Sequence, residues 1–198
     1  GHVLAHDPLN AIIGPRPIGW IASRSSEGQR NLAPYSFFNC FNYHPPIIGF
    51  ASVGYKDSLA NILATGEFVW NLATRPLAEK MNLTSAALPA GDDEFAFAGL
   101  TPVPGNKVGA DRVAESPVNF ECRLSQSLQL QSASGEKIET WLVLGEVVAV
   151  HIDRQLLDAD GTYLTAKAEP ILRAGGPSAY YGISEALRFD MQRPPAPK

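Results

Sequence analysis

Two cysteines, Cys40 and Cys122, are all that the 198-residue sequence offers to thiol chemistry, and they stand far apart with no CxxC pair. That scarcity excludes a disulfide scaffold and makes a reducing, cytoplasmic setting the expectation. The four histidines, His2, His6, His44 and His151, show no metal-ligand spacing, which argues against a zinc centre. Lys and Arg number 16 against 20 Asp and Glu, a net charge of −4, with no basic stripe to neutralise nucleic-acid phosphates. No apolar run approaches the roughly 18 residues of a bilayer-spanning helix, so no membrane partner is expected. No Ser-His-Asp set, carboxylate pair or Cys-His arrangement can be assembled, which points to chemistry brought by a cofactor. No signal-peptide pattern opens the sequence, and Gly1-His2 reads as the remnant of an expression tag.

What is present is an ordinary globular composition, 45% hydrophobic and 18% charged, sufficient for one domain spanning 1–198. Short β-branched or aromatic runs bounded by Gly, Pro or Asn predict strands at 18–23, 46–53 and 67–73. Residues 119–125 alternate, with Phe120, Cys122 and Leu124 on one face and Asn119, Glu121 and Arg123 on the other, the pattern of a strand with one wet face. The run 141–150 is apolar on both faces and should be buried on both, in a barrel wall or under a second subunit. Helix is sparse. Residues 57–66 open at Asp57 as N-cap, place Leu59, Ile62 and Leu63 on one stripe and close at Gly66. A second helix over 75–86 starts with Pro76 and turns Leu77 and Met81 inward. The Gly-, Pro- and Asp-rich stretch 88–112 reads as a long excursion, a candidate flap. Many short strands with few helices favour a small barrel with helical additions, a mainly β fold.

Three segments are candidates for binding. Lys56-Asp57-Ser58 stands at a helix start, where unpaired N–H groups and the dipole attract anions; it fits a phosphate seat or an ordinary capped helix. NLAPYSFFNC, residues 31–40, mixes aromatics with Ser36 and Asn39, and suits either a core corner or the lining of a flat ring with polar edge atoms. Arg16, between Pro15 and Pro17, could present a guanidinium to a phosphate or lie on the surface. Cys40 is small and expected to be buried.

In order along the chain, GPRPIGWIAS, NLAPYSFFNC with the following PP, KDSLANILATGEFVWNLAT, ESPVNFECRL, LGEVVAVHID and RAGGPSAYYG resemble the flavin reductase-like family, from about His6 to Pro194. The resemblance implies a Greek-key FMN-binding split β-barrel, a homodimer, and FMN, in preference to FAD, near the subunit interface. By position, Ser36, Phe37, Asn39 and Cys40 would border the isoalloxazine. Lys56 and Ser58, with Arg16 or Ser23, would hold the phosphate, and Ser52 would lie on the adjoining strand. His151 matches a histidine of relatives and is a candidate for the active site. The bulkier CFNYHPP segment departs from relatives where a nicotinamide would dock. The implied activity is hydride transfer from NADH or NADPH to flavin N5, with electrons passing to a monooxygenase component or another acceptor. The alternatives are a flavin-binding electron-transfer module without NAD(P)H activity, and a structural dimer with an empty groove.

Overall fold

The structure, a computed structural model, describes residues 3–5, 8–89 and 91–196; the tag remnant Gly1-His2 and His6, where the resemblance begins, lie outside the described residues. In chain order the strands are β1 (Arg16–Pro17), β2 (Gly19–Arg24), β3 (Arg30–Tyr35), β4 (Phe38–Tyr43), β5 (Pro46–Val53), β6 (Glu67–Asn71), β7 (Pro102–Pro104), β8 (Asp111–Val113), β9 (Val118–Gln131), β10 (Lys137–Ile152), β11 (Ile171–Arg173) and β12 (Tyr180–Gly182). Four short helices accompany them: α1 (Leu9–Ile12), α2 (Asp57–Thr65), α3 (Ala78–Leu83) and α4 (Glu94–Phe97). The fold is mainly β, as expected.

Seven strands form one sheet in the order β3-β2-β6-β9-β10-β5-β4, with every neighbouring pair antiparallel. Its two edges, β3 and β4, are consecutive in the chain and joined only by Ser36 and Phe37. A link that short makes the sheet curl so that the end of β3 and the start of β4 come together at one corner, while β5 stays the hydrogen-bonded neighbour of β4. The Ala51 amide donates to the Phe37 carbonyl at 2.8 Å, fastening the junction. Curling of this kind turns a sheet toward a barrel, here closed at the corner and left unpaired along β4.

Alternation along the strands then sorts side chains between two buried clusters. Ile21, Phe68, Trp70 and Cys122 join Tyr35, Phe50, Leu59 and Ile62 in one. Trp20, Ala22 and Val69, their sequence neighbours, point to the opposite face and pack with Met81, Phe95, Val108 and Val113 in the other. The second cluster explains the 88–112 stretch. Its apolar residues Phe95, Ala98, Leu100, Val108 and Ala110 are core, so the excursion is a packed cover of the sheet. This corrects the expected wet face on β9. Asn119 is 3% exposed and Glu121 0%, because the cover lies over them, and only Arg123 of that face is exposed.

The helix at 57–66 forms as expected and ends at Gly66, whose φ of +74° is the left-handed conformation that glycine adopts freely. Its N-cap is Lys56, not Asp57, and no side chain caps it. Leu63 is 42% exposed; buried Ser58 takes its share of the inward face. The second helix begins as a 3₁₀ turn over Arg75–Leu77 and ends at Leu83, with Leu77 and Met81 buried as expected. On β10 only Val143 and Gly145 of residues 141–150 are buried, and Val150 is 52% exposed, so one chain does not cover both faces of this run.

Candidate functional site

A buried hydroxyl–amide network joins the two elements that carry the expected anion seat. Asn31 of β3 donates from Nδ2 to Ser23 Oγ of β2 at 3.2 Å and to Ser58 Oγ of α2 at 2.7 Å. Asn61, one turn further along α2, donates to the same Ser23 Oγ at 3.3 Å. All three of Ser23, Asn31 and Ser58 are buried, so their polar atoms gain from pairing and fix the start of α2 against β2 and β3. Ser52, also buried, donates from Oγ to the Gly54 carbonyl at 2.8 Å and shapes the turn that delivers Lys56.

In front of this network lies a cleft of about 390 Å³, walled by Asn31, Ala33, Pro34 and Tyr35 of β3, Lys56–Ser58 at the start of α2, residues 84–88 after α3, and Glu94 of α4. The first-turn N–H groups of α2 have no side-chain cap, which leaves them available with the positive end of the helix dipole. Lys56 stands beside them, its ammonium 6.0 Å from the centre of the Tyr35 ring, and makes no ion pair with any described residue. The Tyr35 hydroxyl is buried without a well-aligned hydrogen bond, the Ser58 and Ser52 hydroxyls being its nearest polar neighbours. Burial pushes its pKa up, against the opposing effect of the nearby Ser58 and Ser52 hydroxyls. Glu94 accepts the Leu32 N–H at 3.0 Å. Its pKa is raised, chiefly by burial, with the charges of Asp57 and Asp93 adding to the rise.

The structure therefore brings Lys56 and Ser58 to one cleft, with Ser23 and Ser52 behind them as supports. Arg16 is elsewhere. Its Nε donates to the Ser36 carbonyl at 3.1 Å, and one terminal nitrogen donates to the Asn10 and Ile13 carbonyls, both at 2.6 Å. The guanidinium also lies 5.7 Å from the centre of the Phe37 ring. Ser36, Phe37, Asn39 and Cys40 follow Tyr35 in the chain but do not line the cleft. Asn39 accepts the Cys40 N–H at 2.8 Å on edge strand β4, and Cys40 is exposed, which corrects its expected burial: β4 has a neighbour on one side only. Its buried counterpart Cys122 is the inert one, with burial pushing the thiol pKa far up.

His151 is also away from the cleft. Its Nε2 lies 2.6 Å from Glu121 Oε1, and the same carboxylate accepts the Asn106, Lys107 and Val108 N–H groups at 2.8, 2.6 and 3.2 Å. Burial works to raise the Glu121 pKa, but these donors outweigh it and hold the group below the usual carboxylate range. Tyr35, Asn31 and Glu94 were not singled out from the sequence. Asn31 and Tyr35 lay inside a stretch whose other members drew attention, and nothing local marks Glu94, which reaches β3 from 62 residues away. Among the described residues no group of His, Cys, Asp and Glu could hold a metal ion, and no helix is long and apolar enough to cross a membrane.

The flavin reductase like domain matches residues 14–170. Among solved structures, the chain is similar to nitrilotriacetate monooxygenase component B from Bacillus cereus, at 28% identity and a TM-score of 0.85, covering 96% of this chain and 100% of that one. It is similar to 2-nitrobenzoate 2-nitroreductase of Pseudomonas fluorescens at 29% identity and a TM-score of 0.82, covering 93% and 88%. A flavin reductase of Shewanella frigidimarina NCIMB 400 with a split barrel domain aligns over 93% of this chain and 90% of that one, at 24% identity and a TM-score of 0.82. The last likeness bears out the split barrel, and the domain match bears out the family resemblance.

Proposed function

The chain belongs to the flavin reductase-like family, and on that premise we propose that it holds FMN in the cleft between β3 and α2 and acts as an NAD(P)H-dependent flavin reductase. The observation that carries the reading is one cleft in which an unpaired lysine and an uncapped helix start converge beside the Tyr35 ring. A single cation at a single helix end suits one phosphate group, FMN's, better than the diphosphate of FAD. Bound FMN would supply the redox chemistry, taking up hydride from a nicotinamide and passing electrons on.

The chain's own residues bind and orient. Lys56 and the first turn of α2 hold the phosphate. Ser23, Ser52 and Ser58 hold that turn in place. Ser36, Phe37, Asn39 and Cys40 are assigned to the edge of the ring, with Arg16 bracing their strand junction. For His151 the contact with Glu121 supports a positioning role, keeping the 105–108 loop against β9. Similarity to a monooxygenase component B supports a monooxygenase component as the electron acceptor. The two free thiols suit a reducing, cytoplasmic compartment.

The test is anaerobic mixing of FMN-loaded protein with NADH and with NADPH while the flavin's visible absorbance is followed. Rapid bleaching by either nucleotide is the expected result. Bleaching only by dithionite would make the protein an electron-transfer module, and failure to retain or bind FMN at all would remove the cofactor assignment.

A further inference from the structure

The cleft contains one cation and two carboxylates: Lys56 against Asp57 and Glu94. A phosphate arriving there adds up to two further negative charges, so a charged Glu94 beside it would repel the ligand the cleft is shaped to hold. Asp57 sits in the first turn of α2, at the positive end of the helix dipole. Glu94 can relieve that repulsion. Its Oε2 accepts the Leu32 N–H at 3.0 Å, and its own backbone N–H also favours the charged carboxylate, but burial outweighs both. The charged groups facing it are Asp57 and Lys56 from α2 and Asp93, the N-cap of its own helix; Arg30 of β3 lies 3.5 Å from Asp93 but pairs more closely with Asp111, at 2.6 Å. Tyr35 of β3, uncharged, completes the surroundings.

Resting on the FMN reading above, we propose that Glu94 takes up one proton from solvent as the phosphate-bearing flavin binds, turning from a repelling charge into a hydrogen-bond donor. The neutral carboxyl keeps accepting from Leu32 through its carbonyl oxygen and presents its O–H to the cleft. Glu94 thereby makes the cleft selective for FMN over flavins without phosphate as pH falls. The already raised titration of Glu94 lessens what the uptake costs. The sign follows from linkage. Where Glu94 is already protonated in the free protein, pH has no effect through it. Above that range each bound FMN must bring a proton, so affinity falls about tenfold per pH unit until the complex itself deprotonates.

Calorimetric titration of FMN and riboflavin, in two buffers of different ionisation enthalpy at pH 6 to 8.5, tests this. Wild type should take up more protons with FMN than Glu94→Gln does, and the carboxyl carbon resonance of Glu94 separates its own uptake from that of the phosphate, whose titration the same charge also shifts. Glu94→Gln should bind FMN about tenfold more tightly than wild type at the top of the range, with the gap closing toward the bottom. Riboflavin should show neither effect. Equal proton uptake and equal FMN affinity in the two proteins would overturn the inference while leaving the FMN assignment standing. Absence of FMN binding in wild type would sink the assignment itself. Should Glu94→Gln not fold, the carboxyl carbon resonance of Glu94 in labelled wild type decides: a higher pKa with FMN than with riboflavin supports the uptake, and an equal one refutes it.

Discussion

A tyrosine hydroxyl sealed from water without a well-aligned partner is unfavourable by about 1–3 kcal/mol relative to a satisfied one, and Tyr35 carries such a hydroxyl. The ring itself is well used, 4.5 Å from Phe50 and within reach of the Lys56 ammonium. A phenylalanine would preserve both contacts. Tyr35→Phe should therefore leave the flavin-free protein as stable as wild type or slightly more so, while weakening FMN by the roughly 0.5–1.5 kcal/mol of a neutral hydrogen bond. Urea denaturation and flavin titration of the same preparations separate the two effects; a clear loss of stability without flavin would mean that the hydroxyl already has a protein partner. At this scale the site was legible only where its chemistry is contiguous. Lys56 and Ser58 announce a helix start by themselves. Tyr35 and Asn31 become site residues only because β3 runs beside α2, and Glu94 because a helix distant in sequence reaches back to the Leu32 amide. Arg16 reads as an anion ligand from its stiff Pro-Arg-Pro setting, yet carbonyls of the neighbouring turn take its donors.

Elements defined by local punctuation were the readable ones. The helix closed by Gly66 and the strand at 46–53 carry their boundaries in Gly, Pro and Asp. The polar face of β9 misled for a physical reason. Asn119 and Glu121 look like solvent-facing residues, but each is buried with its polar atoms paired: Glu121 with the 106–108 amides, and Asn119 with Asn71 Oδ1 at 2.8 Å. Pattern alone cannot distinguish a wet face from a fully hydrogen-bonded one, and the 88–112 stretch whose amides satisfy Glu121 is itself the one that reads as loop. Gly145 is an element-scale requirement of a different kind. It lies beside a register shift in β10, and a Cβ there would collide with the Phe68 ring and press on Cys122 at 3.2 Å. Gly145→Ala should cost roughly 1–3 kcal/mol of stability through overpacking, with Phe68→Leu in the same chain restoring part of it. Chemical denaturation of the two single variants and the double variant checks this. Strictly additive losses would show that Gly145 is chosen for backbone freedom and not for closeness to Phe68.

The whole molecule leaves more apolar surface open than its sheet order requires. Along the long β9–β10 hairpin Leu128, Ile138 and Val150 are 43%, 43% and 52% exposed, and on edge strand β4 Phe41 and Tyr43 are 54% and 84% exposed. Scattered exposed apolar residues are normal on a monomer. Here they sit on the most regular elements of the fold, on strands whose other residues form the barrel wall, and β4 offers an unpaired edge as well. An exposed, regular, apolar edge is a liability for an isolated chain and an asset for a paired one. Of the residues assigned to the ring edge, Asn39 and Cys40 lie on that same open strand and Ser36 and Phe37 just before it, none within the cleft. A second copy covering β4 and the hairpin would bury this surface and supply the wall that a flavin ring leaving the cleft lacks in one chain. We therefore expect a homodimer with two equivalent flavin sites, each incomplete without the partner. Light scattering at micromolar concentration should return twice the 21.3 kDa of one chain, and dilution toward monomer should release FMN in step with the loss of mass. A monomer that retains one FMN per chain would place the whole flavin site within a single barrel and leave the exposed strands to another partner.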